Sequence, residues 1–200
     1  MNNERDQLAD QILHAASGLY LQYGLKKVTM DDIAKAIGKT RTAVYYYFKN
    51  REEVFEAVLD SLVKEVVQEI QRAMDSKHTI HEKIEAFCQT KIKTSEAKKP
   101  FFTAIEVGMN AAEKSKHTQA MSLVHQQLMK AETQLLSEAL ILSTQRQEIR
   151  QLTTIEHDSF IFILLSGIRG IKREMLLKNS FKGLNETIHT LVDMTERWLR

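Results

Sequence analysis

Cysteine and proline are nearly absent from this chain of 200 residues, which has one of each. A single cysteine, Cys88, cannot form a disulfide within the chain, and the opening residues MNNERDQ lack the apolar segment of a secretion signal. The longest unbroken apolar run, 160–165, is far shorter than the roughly 20 residues that a membrane-spanning helix requires. We therefore expect a cytoplasmic protein with no membrane span.

Glycine and net charge are the other scarce features. The chain has seven glycines and a formal net charge of +2, while 43% of its residues are hydrophobic. Long segments between so few helix breakers favour helices over strands, and the hydrophobic content is sufficient for a buried core. We therefore predict an all-α fold. The small net charge does not by itself indicate a nucleic-acid partner.

The segment 29–55 has the pattern of a helix-turn-helix. Ala34, Gly38 and Val44 have the expected spacing of a small residue at a helix crossing, a residue that permits a left-handed turn, and an apolar residue where the second helix docks. Every charged side chain between residues 33 and 51 is basic: Lys35, Lys39, Arg41, Lys49 and Arg51. Such a run is also typical of an ordinary solvated face. On a helix-turn-helix, it favours contact with DNA.

Capping residues and apolar periodicity predict about nine helices. Thr29, Thr40 and Asn50 are expected to cap the second, third and fourth helices, and Thr153 or Thr154 to begin the eighth.

A break is expected in the middle of the chain. Pro100 is predicted to end the fifth helix, because proline disfavours helical geometry in the residue before it. A short sixth helix then covers 101–112, and a charged link at 113–116 precedes a long seventh helix.

The N-terminal third resembles the TetR family of bacterial transcriptional regulators. The residues that carry this resemblance are Ile12, Leu13, Ala15, Ala16, Leu19, Tyr23, Gly24, 28–34, Gly38, Tyr45, Tyr47, Phe48 and 49–54. Lys39, Thr42 and Tyr46 depart from the residues common in the family, and they are expected to alter which operator is read. The rest of the chain resembles the family only in the number and length of its helices and in its total size.

The resemblance implies a homodimer that binds double-stranded operator DNA through paired third helices and releases it when a small-molecule effector binds. We accordingly predict a helix-turn-helix DNA-binding domain at 1–50. A larger helical domain for ligand binding and dimerisation is predicted at 51–200.

The third helix and the residues that flank the helix-turn-helix supply the candidate DNA contacts. The N-terminal end of a recognition helix reaches base edges in a major groove, and Arg41, Thr42 and Tyr46 are the predicted base contacts. Arg41 could instead touch only phosphate. By their positions in the family motif, the expected phosphate contacts are Thr29, Thr40, Tyr45, Tyr47 and Lys49. Capping is an equal or additional role for the threonines, and packing for Tyr47.

A ligand cavity is expected among helices four to eight. Its candidate lining residues are Phe87, Phe101, Phe102, Glu106, Met109, Met121, His125, His157 and Phe160. Apolar residues at helical spacing are more often simply core, so that alternative stays open. The sequence does not identify the effector.

The last two helices are the predicted dimer surface, by pairing into a four-helix bundle. The residues predicted at this interface are Phe160, Leu164, Ile168, Ile171, Leu191 and Trp198. Burial inside one subunit is the alternative. Three histidines, His78, His81 and His117, are too loosely spaced for a compact ligand set, so we expect no metal and no cofactor.

The predicted function is that of a ligand-responsive DNA-binding regulator, most often a repressor. No nucleophile elbow, paired-acid motif or glycine-rich phosphate loop indicates an enzyme. The alternative is a DNA-binding interaction protein of the same fold that acts on a protein partner.

Overall fold

A computed structural model describes the backbone of residues 2–200 and the side chains of residues 7–200. This part of the chain forms eight α-helices and one 3-10 turn, Leu25–Lys27, and contains no strand, which confirms the all-α prediction. The helices are α1 (Asn2–Tyr23), α2 (Met30–Ala36), α3 (Arg41–Tyr47), α4 (Arg51–Asp75), α5 (Ile80–Ile105), α6 (Ala111–Gln145), α7 (Thr154–Leu177) and α8 (Leu184–Leu199). None of these helices combines the length and apolarity needed to cross a membrane.

The break predicted at Pro100 is wrong, and it accounts for the difference between about nine expected helices and the eight in the described chain. Pro100 lies inside α5, which continues to Ile105. An interior proline costs about 3 kcal/mol, because it removes one backbone hydrogen bond and crowds the preceding turn. Phe101 and Ile105 follow it and are 6% and 0% exposed. Burial of side chains of this size contributes roughly 1.5–3 kcal/mol each, which offsets the cost.

The real interruption comes after Ile105. Gly108 has a φ of +79°, and Asn110 then caps α6 by accepting a 2.9 Å hydrogen bond from the backbone N–H of Glu113. The Glu113 carboxylate accepts from the Asn110 N–H at 2.8 Å, so the predicted charged link at 113–116 is instead the first turn of α6.

The described chain divides into two compact units. Unit 1 comprises Met1–Glu65 and Glu96–Gln127, and unit 2 comprises Val66–Ser95 and Leu128–Arg200. Helices α4, α5 and α6 each contribute residues to both. The predicted boundary at residue 50 divides a DNA-binding domain from a ligand-binding and dimerisation domain, and it does not coincide with these compact units. This functional division stays a prediction.

Unit 1 is built around a core from α1 to α3, the first turns of α4 and the end of α5, with part of α6 packed against it. Ile12, Tyr20, Ile33 and Val44 are fully buried in it. The ring of Tyr20 meets that of Phe55 edge to face at 5.8 Å. The two short helices α2 and α3 are thereby held on α1 and α4, as amphipathic elements of seven residues need to be.

Unit 2 has a second core, formed by the second half of α6 with α7 and α8 and the adjoining turns of α4 and α5. Leu136, Leu164, Ile168 and Val192 are at most 1% exposed there. Thr153 caps α7 in a reciprocal pair with Glu156, which confirms the predicted start of this helix.

Burial in unit 2 bears directly on the predicted dimer surface. Phe160, Leu164 and Ile168 lie in the core of the chain itself, so the alternative of burial inside one subunit describes them. Ile171 and Leu191 are half-buried, and Trp198 is 42% exposed and stacked on Phe160. The apolar side chains that α7 and α8 leave exposed are Ile155, Phe162, Ile163, Leu176, Leu177 and Met194.

Candidate nucleic-acid interface

The start of α2 is fixed by a reciprocal cap between Thr29 and Asp32. The Asp32 N–H donates to Thr29 Oγ1 at 3.2 Å, and the Thr29 N–H donates to Asp32 Oδ2 at 2.9 Å. The hydrogen bonds from the Thr29 side chain and backbone hold the pKa of the Asp32 carboxyl below its usual value. This cap confirms the predicted second helix and leaves Thr29 exposed at its N-terminal end.

The turn between α2 and α3 depends on Gly38, whose φ is +63°. The Gly38 N–H donates to the Lys35 carbonyl at 3.1 Å, and the Lys39 N–H donates to the Ala34 carbonyl at 3.0 Å. These two bonds form the Schellman arrangement that ends a helix with a left-handed residue. A Cβ at Gly38 would meet nothing within 4 Å, so the backbone angle rather than space requires glycine here.

Helix α3 presents its N-terminal part to solvent. Thr40 caps it by accepting a 3.2 Å hydrogen bond from the Ala43 N–H. Arg41 and Thr42 are exposed, and Tyr46 is 64% exposed. Val44 is fully buried against unit 1, so the opposite face of the helix is anchored. The three predicted base-contacting side chains therefore share the exposed part of one fixed helix.

Arg41 is oriented by two neighbours in this structure. Its Nη1 lies 3.1 Å from Asp31 Oδ2, and its Nη2 donates to the Tyr45 hydroxyl at 3.1 Å. The guanidinium carbon also lies 5.2 Å from the centroid of the Tyr45 ring. The Tyr45 hydrogen bond and then the Asp31 charge raise the pKa of Arg41, so the side chain stays charged. Because the pair with Asp31 is exposed, it is worth little and can be exchanged for a stronger partner.

The predicted phosphate contacts differ in accessibility. Thr29, Thr40 and Lys49 are exposed, and Tyr45 is 39% exposed beside Arg41. Tyr47 is half-buried and packs against the core of unit 1, as the packing alternative expects.

The start of α4 lies directly after these side chains. The Glu53 N–H donates to Asn50 Oδ1 at 2.8 Å, and the Lys49 N–H donates to Glu53 Oε2 at 2.7 Å. This confirms the predicted cap at Asn50 and fixes the backbone at Lys49.

Unit 1 also contains a cavity of about 350 Å³. Its walls include Lys26, Arg51, Phe55, Met109, Lys116 and His117. Acids of α4 and α6 also line it, with Glu113 paired to Lys26 at 3.3 Å. Nothing in the local sequence around His117 predicts that it lies in a cavity wall.

His117 is the most deeply buried polar group of this cavity, at 7% exposure. Its Nδ1 lies 3.5 Å from Glu106 Oε1, and its Nε2 has no hydrogen-bond partner. Burial lowers the pKa of His117, with the Glu106 charge opposing the shift. With its Nδ1 facing the Glu106 carboxylate, a neutral ring carries its proton on Nδ1 and leaves Nε2 as an acceptor.

The residues predicted for a ligand pocket are distributed between the two units. In unit 1, Met109 lines the cavity and Glu106 contacts His117, while Phe101, Phe102 and Met121 pack in the core and His125 is exposed. In unit 2, Phe87 and Phe160 are buried in the core, and His157 Nε2 lies 3.2 Å from Ser137 Oγ.

Two short helices joined at a left-handed glycine, with an exposed and capped second helix, define a helix-turn-helix protein of the all-helical class. Residues 12–58 match the family model described as "Bacterial regulatory proteins, tetR family". The match runs from within α1 to the first turns of α4 and so includes the whole helix-turn-helix.

Comparison with known proteins gives relatives of the same kind. The chain is 37% identical over 73 residues to the HTH-type transcriptional regulator YhgD of Bacillus subtilis, covering 36% of this chain and 38% of that protein. It is 35% identical over 77 residues to the HTH-type transcriptional regulator TtgR of Pseudomonas putida, covering 38% of this chain and 36% of TtgR. Each match thus spans less than half of the relative's length.

Among solved structures, the fold is similar to that of the fatty acid degradation regulator FadR from Bacillus halodurans. The TM-score is 0.60 at 21% identity, over 92% of this chain and 93% of FadR. At this identity, the similarity concerns the fold alone. The named relatives are transcriptional regulators, and no enzyme family is indicated.

Proposed function

We propose that the protein is a dimeric transcriptional regulator, acting as a repressor, that binds palindromic operator DNA and is released by a small molecule. The observation that carries the proposal is the exposed N-terminal part of α3 on a helix-turn-helix whose termini are all capped. Because the caps fix the backbone of α3, little conformational entropy is lost when its exposed side chains bind DNA.

Arg41, Thr42 and Tyr46 are proposed to read bases in the major groove. Arg41 has the fork of donors that matches the O6 and N7 acceptors of a guanine. To reach them, the guanidinium exchanges Asp31 for the base, and Tyr45 can keep its contact during the exchange. Thr29, Thr40, Tyr45, Tyr47 and Lys49 are proposed to hold the phosphates on either side, with half-buried Tyr47 contributing its hydroxyl.

Dimerisation is proposed through the exposed stripe of α7 and α8. Ile155, Phe162, Ile163 and Leu177 recur on one face of α7, and Met194 with Trp198 lies on α8. Gly170 interrupts the α7 stripe, and a Cβ there would meet nothing within 4 Å, which permits a close approach by a partner helix. Pairing two such stripes gives a four-helix bundle. Half-sites one turn apart would lie about 34–36 Å from each other.

The effector is proposed to bind in the cavity of unit 1. Its volume of about 350 Å³ suits a small molecule. Phe55 and Met109 offer apolar contacts, and His117 Nε2 offers an acceptor that currently has no partner. A fitting ligand therefore combines an apolar part with a hydrogen-bond donor for His117, and the charged side chains in the walls, such as Lys116, favour further polar groups on it. Because Arg51 and Phe55 belong to the first turns of α4, which follow the α3 segment directly, a ligand that prefers one arrangement of α4 would alter DNA affinity.

The test begins with selection of bound fragments from genomic DNA by the purified protein. The proposal predicts enrichment of a two-fold symmetric sequence that binds far more tightly than random DNA at the same salt concentration. Equal affinity for random and selected DNA would exclude a specific regulator. Small molecules that raise the thermal midpoint are then screened for release of the operator. If DNA binding is specific but no ligand releases it, the alternative of an interaction protein with a protein partner is favoured.

A further inference from the structure

A cluster of two histidines and a carboxylate joins α5 to α8 within unit 2. The possible ligand atoms of His81, His189 and Asp193 all lie within 4.8 Å of one another. His81 is in the first turn of α5, and His189 and Asp193 are four residues apart on α8, so that both α8 side chains share a helix face. This arrangement is independent of the proposed DNA-binding function.

The two histidines of the cluster both lie beside carboxylates, at different distances. His81 Nδ1 is buried and pairs with Glu196, whose Oε2 lies 2.9 Å away. His189 Nδ1 is 3.8 Å from Glu85 Oε1, and His189 Nε2 is 3.9 Å from Asp193 Oδ2. These distances exceed those of hydrogen bonds. The His189 ring thus faces two carboxylates without a hydrogen bond to either, whereas the His81 ring is paired with Glu196.

The charges around the cluster favour a cation. Glu85, Asp193 and Glu196 surround the two rings, and the guanidinium that pairs with this group is that of Arg200, whose Nη2 lies 2.6 Å from Glu196 Oε1. The carboxylates therefore outnumber their partner. Two neutral imidazoles would leave a negative site that a divalent ion neutralises.

We propose that His81, His189 and Asp193 form a binding site for a divalent transition metal of the zinc type. Imidazole nitrogen together with a carboxylate oxygen suits zinc, cobalt and nickel, whereas calcium and magnesium prefer oxygen ligands alone. Water would complete the tetrahedron, unless a side-chain movement brings in the neighbouring carboxylate of Glu196. The ion would tie the first turn of α5 to α8.

Closing the site requires only side-chain movement. Metal bonds of about 2.0–2.2 Å in a tetrahedron bring the ligand atoms roughly 3.3 Å apart, so the cluster must contract. The His189 side chain is 61% exposed and that of Asp193 is 42% exposed, which leaves both free to change rotamer. Ile188 and Val192, between them on α8, are buried and hold the helix in place.

The site does not compete with the proposed dimer stripe. His189, Asp193 and Glu196 follow one another at intervals of four and three on one face of α8, whereas Met194 and Trp198 lie on another. Sequence spacing did not predict this site, because His189 is remote from His81 in the chain. Of the histidines considered at first, His78 lies in the turn before α5 and His117 lies in unit 1.

The test uses the full-length chain without an affinity tag, freed of metal by a chelator and dialysis. Zinc is titrated calorimetrically, and cobalt is titrated by its visible absorption, which reports tetrahedral coordination. We expect one equivalent of metal per chain and a thermal midpoint that rises with zinc concentration. His189→Ala and Asp193→Asn should each weaken binding by at least about tenfold, since loss of even an outer partner typically costs 10- to 100-fold.

His78→Ala is the matched control, because it removes a neighbouring exposed imidazole outside the cluster. It should bind metal as the wild type does. Both His189 and Asp193 are partly exposed, so circular dichroism melts without metal should coincide for all four proteins. Absence of a stoichiometric site, or binding that His189→Ala leaves unchanged, overturns the proposal. Equal loss in His78→Ala also overturns it, since it would show nonspecific association.

Discussion

Arg41 lies over the ring of Tyr45 one turn later in α3, with Nη2 donating to the Tyr45 hydroxyl at 3.1 Å. Asp31 holds the other side of the same guanidinium. The side chain proposed to contact a base is thus oriented in the absence of DNA. Tyr45 can keep its contact with Arg41 on the DNA, whereas the contact with Asp31 must be broken.

Arg41→Ala should weaken binding to the selected operator by about 1–3 kcal/mol, the typical discrimination of a bidentate arginine–guanine contact. The loss should be smaller on random DNA. Fluorescence anisotropy competition at fixed salt measures both affinities. Arg41→Lys is the matched variant, since it keeps the charge without the fork of donors. A uniform loss on all sequences would make Arg41 a phosphate contact.

Phe162→Glu should give a folded monomer, because Phe162 is 66% exposed on the proposed dimer stripe. Ile168→Glu is the contrasting variant. Ile168 is 1% exposed in the core of unit 2, so a charge there should unfold that unit instead of separating subunits. Sedimentation equilibrium with circular dichroism distinguishes the two results. A dimer of unchanged mass for Phe162→Glu would move the interface elsewhere.

His117 should make stability depend on pH. Its pKa in the folded chain is lowered by burial, so the unfolded chain takes up the proton first as pH falls. The stability contribution is complete above the unfolded pKa, near 6.5, and is lost as pH falls through the lower folded pKa. Urea midpoints measured from pH 8 to 5 should therefore fall more for the wild type than for His117→Gln. The same decline in both proteins would show that other groups titrate.

Pro100→Ala should stabilise the protein. Alanine restores the missing backbone N–H donor inside α5, and in a helix interior it is about 3 kcal/mol more favourable than proline. Proline also restricts the unfolded chain, and losing this restriction reduces the gain by roughly 0.4–1 kcal/mol. A gain of about 2 kcal/mol in the free energy of unfolding is expected by urea denaturation. Lys99→Ala, next to it and also exposed, should change little. A destabilised Pro100→Ala would mean that the helix had adapted its packing to the ring.

Local features of the sequence predicted much of the helix-turn-helix. The caps at Thr29, Thr40 and Asn50, and the turn at Gly38, each depend on bonds between residues three to five apart. Interactions of this range can be predicted from spacing alone. The predicted base contacts could be assigned to α3 for the same reason, although their roles on DNA stay predictions.

Features that depend on distant packing were predicted poorly. The continuous apolar run 160–165 does not show which of its side chains face the chain's own core, so the burial of Phe160 and Leu164 beside the exposed Phe162 does not follow from it. Pro100 is locally a helix breaker, and only burial of the residues after it makes continuation favourable.

The sequence by itself determined the all-α class, the capped helix-turn-helix and its basic exposed segment, because these follow from periodicity and from bonds within a few residues. Tertiary structure alone decided three other features. It set the rotation of α7, the burial of His117 beside a cavity, and the meeting of His81 with His189. Each depends on which helix faces pack together, and that choice is made by the summed burial of side chains far apart in the chain.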